Sequence, residues 1–414
     1  MVHAIYSFMR NIKRIKRNRY CCYGKTSNVS GRKVLALFTL HASSEERDSM
    51  HRTAELAICK LLNNPVRLNL IKTCDVIGSD EIGQLDDAFM GVVDIIFRQI
   101  RGSDLYHGGM KILGTLDHTQ IQPVQGRPFL TSIHLLTSFK VCELETSVRA
   151  SNDENWQRIQ EIARFSYRKL QSYPNLIDEF ITLLSENGTF VDEWIDNKIK
   201  PHTFRVYSRK VPVRAAAKQF IERVRRQIDT KLVRERNAQD VEKGRYSHAE
   251  WQAASELTTD ELTRKKKEPE TLLFFRGAIY ECTYNEDGKF SQSQLAILFT
   301  LPNEDDIRGF KKIELLVAPP GKKDIRFDCN ASEDAYIEQG FKKVKIGTAP
   351  ERPYQIKNNV QGIRKQYGLK HFVSGTLHSM MGDTLTSMAT EISHRNSNFN
   401  LWEKGQLVVL LSWI

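Results

Sequence analysis

An adjacent pair of carboxylates, Asp80 and Glu81, opens the hexapeptide DEIGQL, which lies between an apolar segment and an amphipathic helical pattern. In nucleotide hydrolases such a pair follows a strand. The first carboxylate holds Mg²⁺, usually through water, and the second orients or deprotonates the attacking water. Asp and Glu at a helix start are also common as N-terminal caps and as partners of the helix dipole. The hexapeptide alone leaves both interpretations open.

A second polar cluster follows the apolar run KILGTL, where Asp117, His118 and Gln120 precede Pro123. Open α/β sheets bind ligands at the carboxyl ends of their strands. Asp and Gln at such a place can also do no more than cap a turn, with Pro setting the chain that follows. His118 has no partner at metal-ligand spacing, so we interpret it as non-catalytic.

Two further features could contact phosphate. Arg149, in LETSVRA, could stabilise charge on a phosphoryl group or merely pair with a neighbouring carboxylate. Gly24, Lys25 and Thr26 match the end of the pattern G-x-x-x-x-G-K-[ST], in which backbone N–H groups cradle phosphates and the lysine reaches the β- and γ-phosphates. Arg19 occupies the place of the first glycine, and YCCY replaces the small residues that this loop requires.

Alternating strands and helices must position these residues. RKVLALFTL (Arg32–Leu40) is typical of a buried parallel strand, and apolar residues at helical spacing predict an amphipathic helix over 86–101. GGMKILGTL (Gly108–Leu116) predicts another strand. Strand, helix and strand in this order predict an α/β domain with a parallel sheet and crossover helices.

The rest of the chain predicts a second set of elements. Residues 233–269 are charge-dense and poor in large apolar residues, which is typical of a linker or insertion. After them, alternating apolar residues predict a small β-rich unit with a hairpin turning at Asn285–Gly288. The other predicted elements are helices over 155–185, over 213–237 (basic, and more typical of a solvated helix than of a DNA contact) and after Gly382, and strands at Phe204–Val211, Lys370–Thr376 and the C-terminal QLVVLLSWI.

Length and composition limit the class of protein. The chain has 414 residues, which indicates two or three domains, and its 40% hydrophobic residues exclude global disorder. Its 61 Lys and Arg against 50 Asp and Glu give a net charge of +11, which favours a polyanionic partner such as nucleic acid. No window approaches the roughly 18 consecutive apolar residues of a membrane span. Seven cysteines without a C-x-x-C pair or zinc spacing favour a reduced intracellular compartment.

The N-terminal segment is the most basic part of the chain. Its first 40 residues contain nine Lys and Arg and no Asp or Glu. This composition fits a nuclear-localisation patch, a mitochondrial presequence, a disordered basic arm or simply a solvated start to the chain. An apolar core followed by a cleavage site is lacking, which argues against a secretory signal.

The order of the motifs resembles one family. DEIGQL, an amphipathic helix, GGMKILGTLDHTQIQPV and LETSVRA resemble motifs II, III and IV of superfamily 1 helicases of the RecD/Pif (petite integration frequency) type. GQLVVLLS near the C-terminus is similar to motif VI, and the β-rich stretch matches the region that precedes motif V. Motif V, T-x-H-x-x-x-G-x-T-L, is matched by Thr376, His378, Gly382, Thr384 and Leu385. The resemblance runs from about Lys33 to the C-terminus. Some helicases of this type are the helicase portion of Helitron-type transposons, so an origin of this chain from such a transposon is one alternative.

The resemblance implies roles for individual residues. Asp80 is expected to ligate Mg²⁺ and Glu81 to be the base for water attack. Gln120 is expected to sense the γ-phosphate, and Arg149 to act as an arginine finger. The residues implied in binding are Gly24, Lys25 and Thr26 for ATP, and Thr376 and His378 for single-stranded DNA.

The resemblance also implies an architecture and a function. The expected fold class is α/β, with P-loop NTPase (RecA-like) domains built on parallel sheets and a small β-rich insert. The expected function is an ATP-dependent DNA helicase that moves 5′ to 3′ on single-stranded or forked DNA, with no membrane and no small-molecule substrate other than ATP. We expect it in the nucleus, or alternatively the mitochondrion, with roles in DNA repair, recombination and telomere maintenance. The implied division is a basic arm (1–31), RecA-like domain 1 (32–150), RecA-like domain 2 (151–232 and 346–414), a charged linker (233–269) and the β-rich insert (270–345).

Two departures from the family pattern support an alternative function. Only Ser27–Arg32 separate Thr26 from the next predicted strand, which is too few for a helix whose N-terminus binds phosphate. Motif VI in the family ends in Ser-Arg, whereas Ser412 is followed here by Trp413, and an indole cannot replace a guanidinium in bidentate phosphate contact. The alternative is a degenerate, non-hydrolysing helicase fragment that at most binds nucleic acid.

Overall fold

The described residues of the computed structural model form two compact units, of which unit 1 takes its residues from 1–193 and 392–414 and unit 2 from 194–391. The domain boundaries predicted from the motifs divide the chain differently, and they stay a prediction. The predicted strand Arg32–Leu40 lies outside the described residues. The described ranges are 20–23, 49–79, 82–120, 123, 126–143, 152–188, 203–243, 258–286, 288–357, 360–380, 385, 388–390 and 404–412.

Unit 1 contains a three-stranded parallel sheet, as the sequence predicts. Its strands are β1 (Tyr20–Tyr23), β2 (Val76–Ser79) and β3 (Lys111–Gly114), and they lie side by side in that order. Its described helices up to residue 193 are α1 (Met50–Leu62), α2 (Pro65–Thr73), α3 (Asp87–Arg101), α4 (Ile133–Ser138), α5 (Glu154–Arg164), α6 (Tyr167–Ser172) and α7 (Asn175–Asn187). The helical pattern over 155–185 is therefore confirmed, although it forms three helices.

Helix α3 follows the predicted amphipathic pattern and has clear signals at both ends. The Asp86 side chain accepts a hydrogen bond from Phe89 N at 2.7 Å, which caps the N-terminus. Gly102 ends the helix in the left-handed conformation, with φ of 60°. Ile96 and Phe97 are completely buried and pack with α1 in one apolar cluster. Local signals and burial agree here, which explains why the sequence predicts this helix well.

Unit 2 is dominated by short strands. Its described helices are α8 (Lys210–Gln227), a helix over 258–265, α9 (Glu304–Arg308), α10 (Glu333–Glu338) and α11 (Leu377–Met380). The strands are β4 (Phe204–Tyr207), β5 (Arg234–Asn237), β6 (Gln239–Lys243), β7 (Thr271–Phe274), β8 (Ile279–Cys282), β9 (Leu295–Ile297), β10 (Ile313–Val317), β11 (Lys342–Ile346), β12 (Tyr354–Lys357), β13 (Val360–Lys365), β14 (Leu369–His371), β15 (Ser374–Thr376) and β16 (Met388–Thr390).

These strands form four sheets. An antiparallel sheet in the order β11-β10-β9-β8-β14 contains most of the predicted β-rich unit, and β12-β13-β6 and β5-β7 are smaller antiparallel sheets. The predicted hairpin turn is present, because Glu286 pairs with Phe290 and Gly288 has a φ of 76°. The fourth sheet, β15-β4-β16, is parallel. Unit 2 therefore combines a small parallel sheet with an antiparallel insert.

The charged stretch 233–269 differs from the linker that its composition predicts. It contributes β5, β6 and the helix over 258–265, and Leu262 in that helix is completely buried. The guanidinium of Arg364, whose side chain is fully buried, donates to both carboxylate oxygens of Asp240 and to Thr263 Oγ1. This stretch is held in place by residues that are distant in the sequence, and its composition cannot reveal those contacts.

The basic helix predicted over 213–237 ends earlier than its pattern suggests. The last helical residue is Gln227, and Ile228 is already extended. The Asp229 side chain then accepts from Lys231 N at 2.9 Å and starts a turn that leads into β5. Asp at such a position competes with the helix for backbone hydrogen bonds, and this stops the helix.

The strand predicted at Lys370–Thr376 is two strands in two different sheets. β14 pairs antiparallel with β8, and β15 pairs parallel with β4. The predicted strand Phe204–Val211 is confirmed as β4 but stops at Tyr207. The helical stretch predicted after Gly382 is wrong at Met388–Thr390, which form strand β16 beside β4.

The C-terminal apolar run is a helix and not the predicted strand. Helix α12 (Lys404–Leu411) belongs to unit 1 and packs on α5 and α7. Val408, Val409, Leu410 and Leu411 are all buried. A short run that is apolar on every side fits a buried strand and a buried helix equally well, so the pattern could not separate them.

Candidate functional site

The carboxyl ends of the three parallel strands of unit 1 lie at one edge of the sheet. Tyr23 at the end of β1 is in register with Ser79 of β2, and Ser79 is in register with Gly114 of β3. The polar residues that the sequence singles out come next in the chain in each case. Gly24, Lys25 and Thr26 follow β1, and Asp80 and Glu81 follow β2, but all five lie outside the described residues.

Strand β1 changes the interpretation of YCCY. In the motif pattern these residues occupy positions of a phosphate-binding loop, whereas in the structure they form a strand beside β2. Aromatic residues are enriched in strands, so the two tyrosines of YCCY are the sequence signal for this strand. Gly24 therefore directly follows a strand that is parallel to the strand before Asp80.

The chain on both sides of Asp80 and Glu81 is held by one residue. Thr115 N donates to Ser79 O at 3.0 Å, and Ile82 N donates to Thr115 O at 2.8 Å. The Ile82 side chain is buried against Gly114, where an added Cβ would lie only 3.0 Å from Ile82 Cδ1. The acidic dipeptide therefore connects two backbone positions that are both tied to the end of β3.

Asp117 organises the polar loop that follows β3. Its carboxylate accepts from Thr119 N at 2.9 Å, from Thr119 Oγ1 at 2.6 Å and from Gln120 Nε2 at 3.0 Å. Burial by itself raises the pKa of Asp117, but the hydrogen bonds from Thr119 and Gln120 and the charge of Arg164 outweigh it, so the pKa is lowered. Asp117 is therefore an anion at neutral pH that holds the Gln120 side chain.

Arg164 is a site residue that the sequence analysis missed. It is the last residue of α5, and its Nη2 atom lies 3.5 Å from Asp117 Oδ2. In the sequence it is only a basic residue in the last turn of a helix, where a cation is favoured by the helix dipole alone. The resemblance to the helicase motifs implies Arg149 instead, and Arg149 lies outside the described residues.

Thr376 and His378 lie at the end of a parallel strand in unit 2. Thr376 ends β15, which is in register with Tyr207 at the end of β4. The backbone N–H of Ser379 donates to Thr376 Oγ1 at 3.2 Å, and the N–H of Thr376 donates to Ser379 Oγ at 3.0 Å. His378 is half-buried in the short helix α11. Of the other motif V positions, Leu385 is buried, and Gly382 and Thr384 lie outside the described residues.

The described part of the chain contains neither a cluster of metal ligands nor a membrane-spanning helix. It contains no group of three or more His, Cys, Asp or Glu side chains that could hold a metal ion. It also contains no helix long and apolar enough to cross a membrane. The expected Mg²⁺ ligand, Asp80, lies outside the described residues.

Comparison with solved structures identifies the fold. The crystal structure of Pif1 helicase from Candida albicans matches 99% of this chain and 85% of its own, with a TM-score of 0.65 and 16% sequence identity. Bacteroides Pif1 bound to ssDNA matches 97% of this chain and 82% of its own, with a TM-score of 0.61 and 15% identity. Pif1 helicase from Bacteroides in complex with ADP-AlF3 and ssDNA matches 99% of this chain and 89% of its own, with a TM-score of 0.59 and 16% identity.

The chain has the fold of the Pif1 helicases, and the resemblance and the fold class predicted from the sequence are confirmed. This fold consists of RecA-like P-loop domains with parallel strands, which agrees with the parallel sheets in units 1 and 2. The sequence itself matches no protein-family model and no curated protein.

Proposed function

We propose that this protein is an ATP-dependent DNA helicase that couples ATP hydrolysis to 5′ to 3′ movement on single-stranded DNA. One observation carries the proposal. The last residues of β1, β2 and β3 are in register, so the three strands end side by side. Each strand is followed in the sequence by residues whose chemistry suits nucleotide hydrolysis. Solved structures of the same fold hold ssDNA and ADP-AlF3, which supports the same two ligands here.

The residues that follow these strands in the sequence have the chemistry to bind ATP and Mg²⁺. Gly24, Lys25 and Thr26 would hold the phosphates, and Asp80 would hold Mg²⁺, because each group directly follows the end of a parallel strand. When bound, Mg²⁺ neutralises charge on the phosphates. Glu81 would take the proton from the attacking water.

Gln120 and Arg149 would act on the γ-phosphate. Gln120 Nε2 donates to the anionic Asp117 carboxylate, so the nitrogen side of the amide is fixed before nucleotide binds. Arg149 would supply positive charge to the transferring group. Release of the γ-phosphate would then change the contacts of Gln120, and this is the step that couples hydrolysis to movement.

In unit 2, Thr376 and His378 would grip the DNA strand. Thr376 Oγ1 accepts the Ser379 N–H, and the same hydroxyl can still donate its own hydrogen to a phosphate oxygen. The net charge of +11 favours a nucleic-acid partner and predicts binding that weakens as salt rises. The expected compartment is the nucleus, or the mitochondrion, because of the basic N-terminal segment.

The test is ATP hydrolysis by the purified full chain with Mg²⁺ and excess oligo-dT. We expect hydrolysis that rises when the oligonucleotide is added and falls on the order of 10²-fold or more in Glu81→Gln, because the general base is lost. Glu143→Gln is the matched control, since Glu143 is an exposed residue of the same unit. Wild-type hydrolysis no higher than that of Glu81→Gln would refute the proposal.

A second function, nucleic-acid binding without hydrolysis, is favoured by one feature of the sequence. Trp413 stands where the family pattern has an arginine that reaches the γ-phosphate, and an indole cannot make that contact. This function predicts salt-dependent binding to oligo-dT and no effect of ATP analogues on the melting temperature. A bound analogue at about 100 times its Kd would instead stabilise the protein by about 2.7 kcal/mol.

A further inference from the structure

The Asp117 carboxylate accepts hydrogen bonds from its own loop and forms an ion pair with a residue outside that loop. Thr119 and Gln120 are two and three residues away, so their contacts can form within the loop alone. Arg164 is 47 residues away and approaches from α5. It is the one described cation in an ion pair with Asp117, and it connects the loop to the helical part of unit 1.

Arg164 is itself attached to a fixed part of unit 1. Its Nη1 atom donates to Gln160 O at 3.4 Å, and the buried Gln160 side chain donates to Leu411 O at 3.0 Å. Trp156 Nε1 donates to the same carbonyl at 3.1 Å. Helix α5 is thus tied to the end of α12, and the guanidinium at its C-terminus has a defined position relative to the loop.

The contact controls how a primary amide points. A glutamine amide has an acceptor on one side and a donor on the other, and rotation about its last bond exchanges them. The bond from Gln120 Nε2 to Asp117 Oδ2 removes this freedom, because a carboxylate accepts only from the nitrogen side. Arg164 contacts the same oxygen, Oδ2, and so holds the atom to which Gln120 Nε2 donates.

We propose that Arg164 is a positioning residue for Gln120, acting through the Asp117 carboxylate. The inference rests on the proposed function, since the orientation of Gln120 matters only if this side chain senses the γ-phosphate. Arg164 and Asp117 are both partly exposed, with side-chain exposures of 35% and 27%, so the ion pair adds little to stability. Its effect is therefore expected in the chemical step.

The experiment compares ATP hydrolysis, with excess oligo-dT and Mg²⁺, of the full-length wild type, Arg164→Gln and Arg164→Lys. We expect kcat to fall roughly 10- to 100-fold in Arg164→Gln, with KM for ATP within about twofold, because a misplaced catalytic group slows chemistry without weakening nucleotide binding. Arg164→Lys retains the charge and should recover part of the rate. Arg168→Gln, an exposed residue of α6 with the same charge change, should match the wild type.

Asp117→Asn and the double variant show whether Arg164 acts through Asp117. If it does, Arg164→Gln should have no further effect on kcat once Asp117 is Asn, because the group it holds is already lost. Multiplicative losses in the double variant would overturn the inference, and so would equal kcat values for Arg164→Gln and Arg168→Gln. Both results leave the proposed function intact. A wild type without hydrolysis would refute the proposed function itself, and the inference with it.

Discussion

Replacing Arg364 with Met should destabilise unit 2 more than any exposed arginine change. The Arg364 side chain is completely buried, and its guanidinium binds Asp240 Oδ1 at 2.8 Å and Oδ2 at 2.6 Å. It also donates to Thr263 Oγ1 at 2.9 Å and to Glu268 O at 3.2 Å. These contacts join β13 to β6 and to the helix over 258–265, so one side chain orders the charged stretch.

The size of the effect follows from what the substitution leaves behind. Asp240, with a side-chain exposure of 10%, becomes a buried carboxylate without its partner. Breaking a buried ion pair in this way costs about 3–5 kcal/mol. A domain of this size loses about 2–4 °C of melting temperature per kcal/mol, so the transition of unit 2 should fall by about 6–20 °C.

Differential scanning calorimetry at neutral pH measures this shift. Arg264→Met is the matched control, because Arg264 lies in the helix over 258–265 that Arg364 contacts, its side chain is 61% exposed, and it forms an exposed ion pair with Glu261 at 3.3 Å. We expect the control to change stability by about 0–1 kcal/mol. The pair Asp240→Asn and Arg364→Met should recover part of the loss, since no buried charge is then left unpaired. Equal shifts for Arg364→Met and Arg264→Met would refute the reasoning.

Three further predictions concern stability. Burial lowers the pKa of His371 from 6.5 to about 3, so between these pH values the unfolded chain binds a proton that the folded chain does not. The free energy of unfolding should therefore fall as the pH drops below 6.5, by about 1 kcal/mol at pH 5.5. Urea unfolding of His371→Gln should show a smaller fall with pH, and the same fall as in the wild type would contradict this. Gly108→Ala should lower the melting temperature more than Gly102→Ala. Both glycines have φ near 60°, but only at Gly108 would the added Cβ lie 2.6 Å from a backbone oxygen, that of Phe97. Equal melting temperatures for the two variants would show that the structure relaxes to relieve this contact. Trp156→Phe removes one of the two side-chain donors to the last carbonyl of α12. Urea unfolding should show a free energy of unfolding about 1–2 kcal/mol lower than that of the wild type. An unchanged free energy would mean that the Gln160 donor alone is sufficient.

Elements with strong local signals could be predicted from the sequence. Helix α3 has a capping Asp86, a C-terminal Gly102 and an apolar face at helical spacing, and the structure has it within a residue of the prediction. Strand β3 was also predicted, and Asp117 and Gln120 follow it as expected. Such signals are contained in ten to twenty consecutive residues, so they need no tertiary context.

Other features depend on partners that the sequence does not reveal. The C-terminal run became helix α12 because Trp156 and Gln160 satisfy its last carbonyl and α5 covers its apolar side chains. The stretch 233–269 became strands and a helix because Arg364 binds Asp240, which is 124 residues away. No periodicity or composition within either segment contains this information.

The sequence by itself determined the order of the motifs, the local helices and strands and the net positive charge, because each of these is a property of residue types at short spacing. Only the tertiary structure decided that β1 lies beside β2, that Thr115 holds the chain on both sides of Asp80 and Glu81, and that Arg164 reaches Asp117. The physical reason is that a hydrogen bond or an ion pair depends on distances of about 3 Å between atoms. Those distances are set by the packing of elements far apart in the chain.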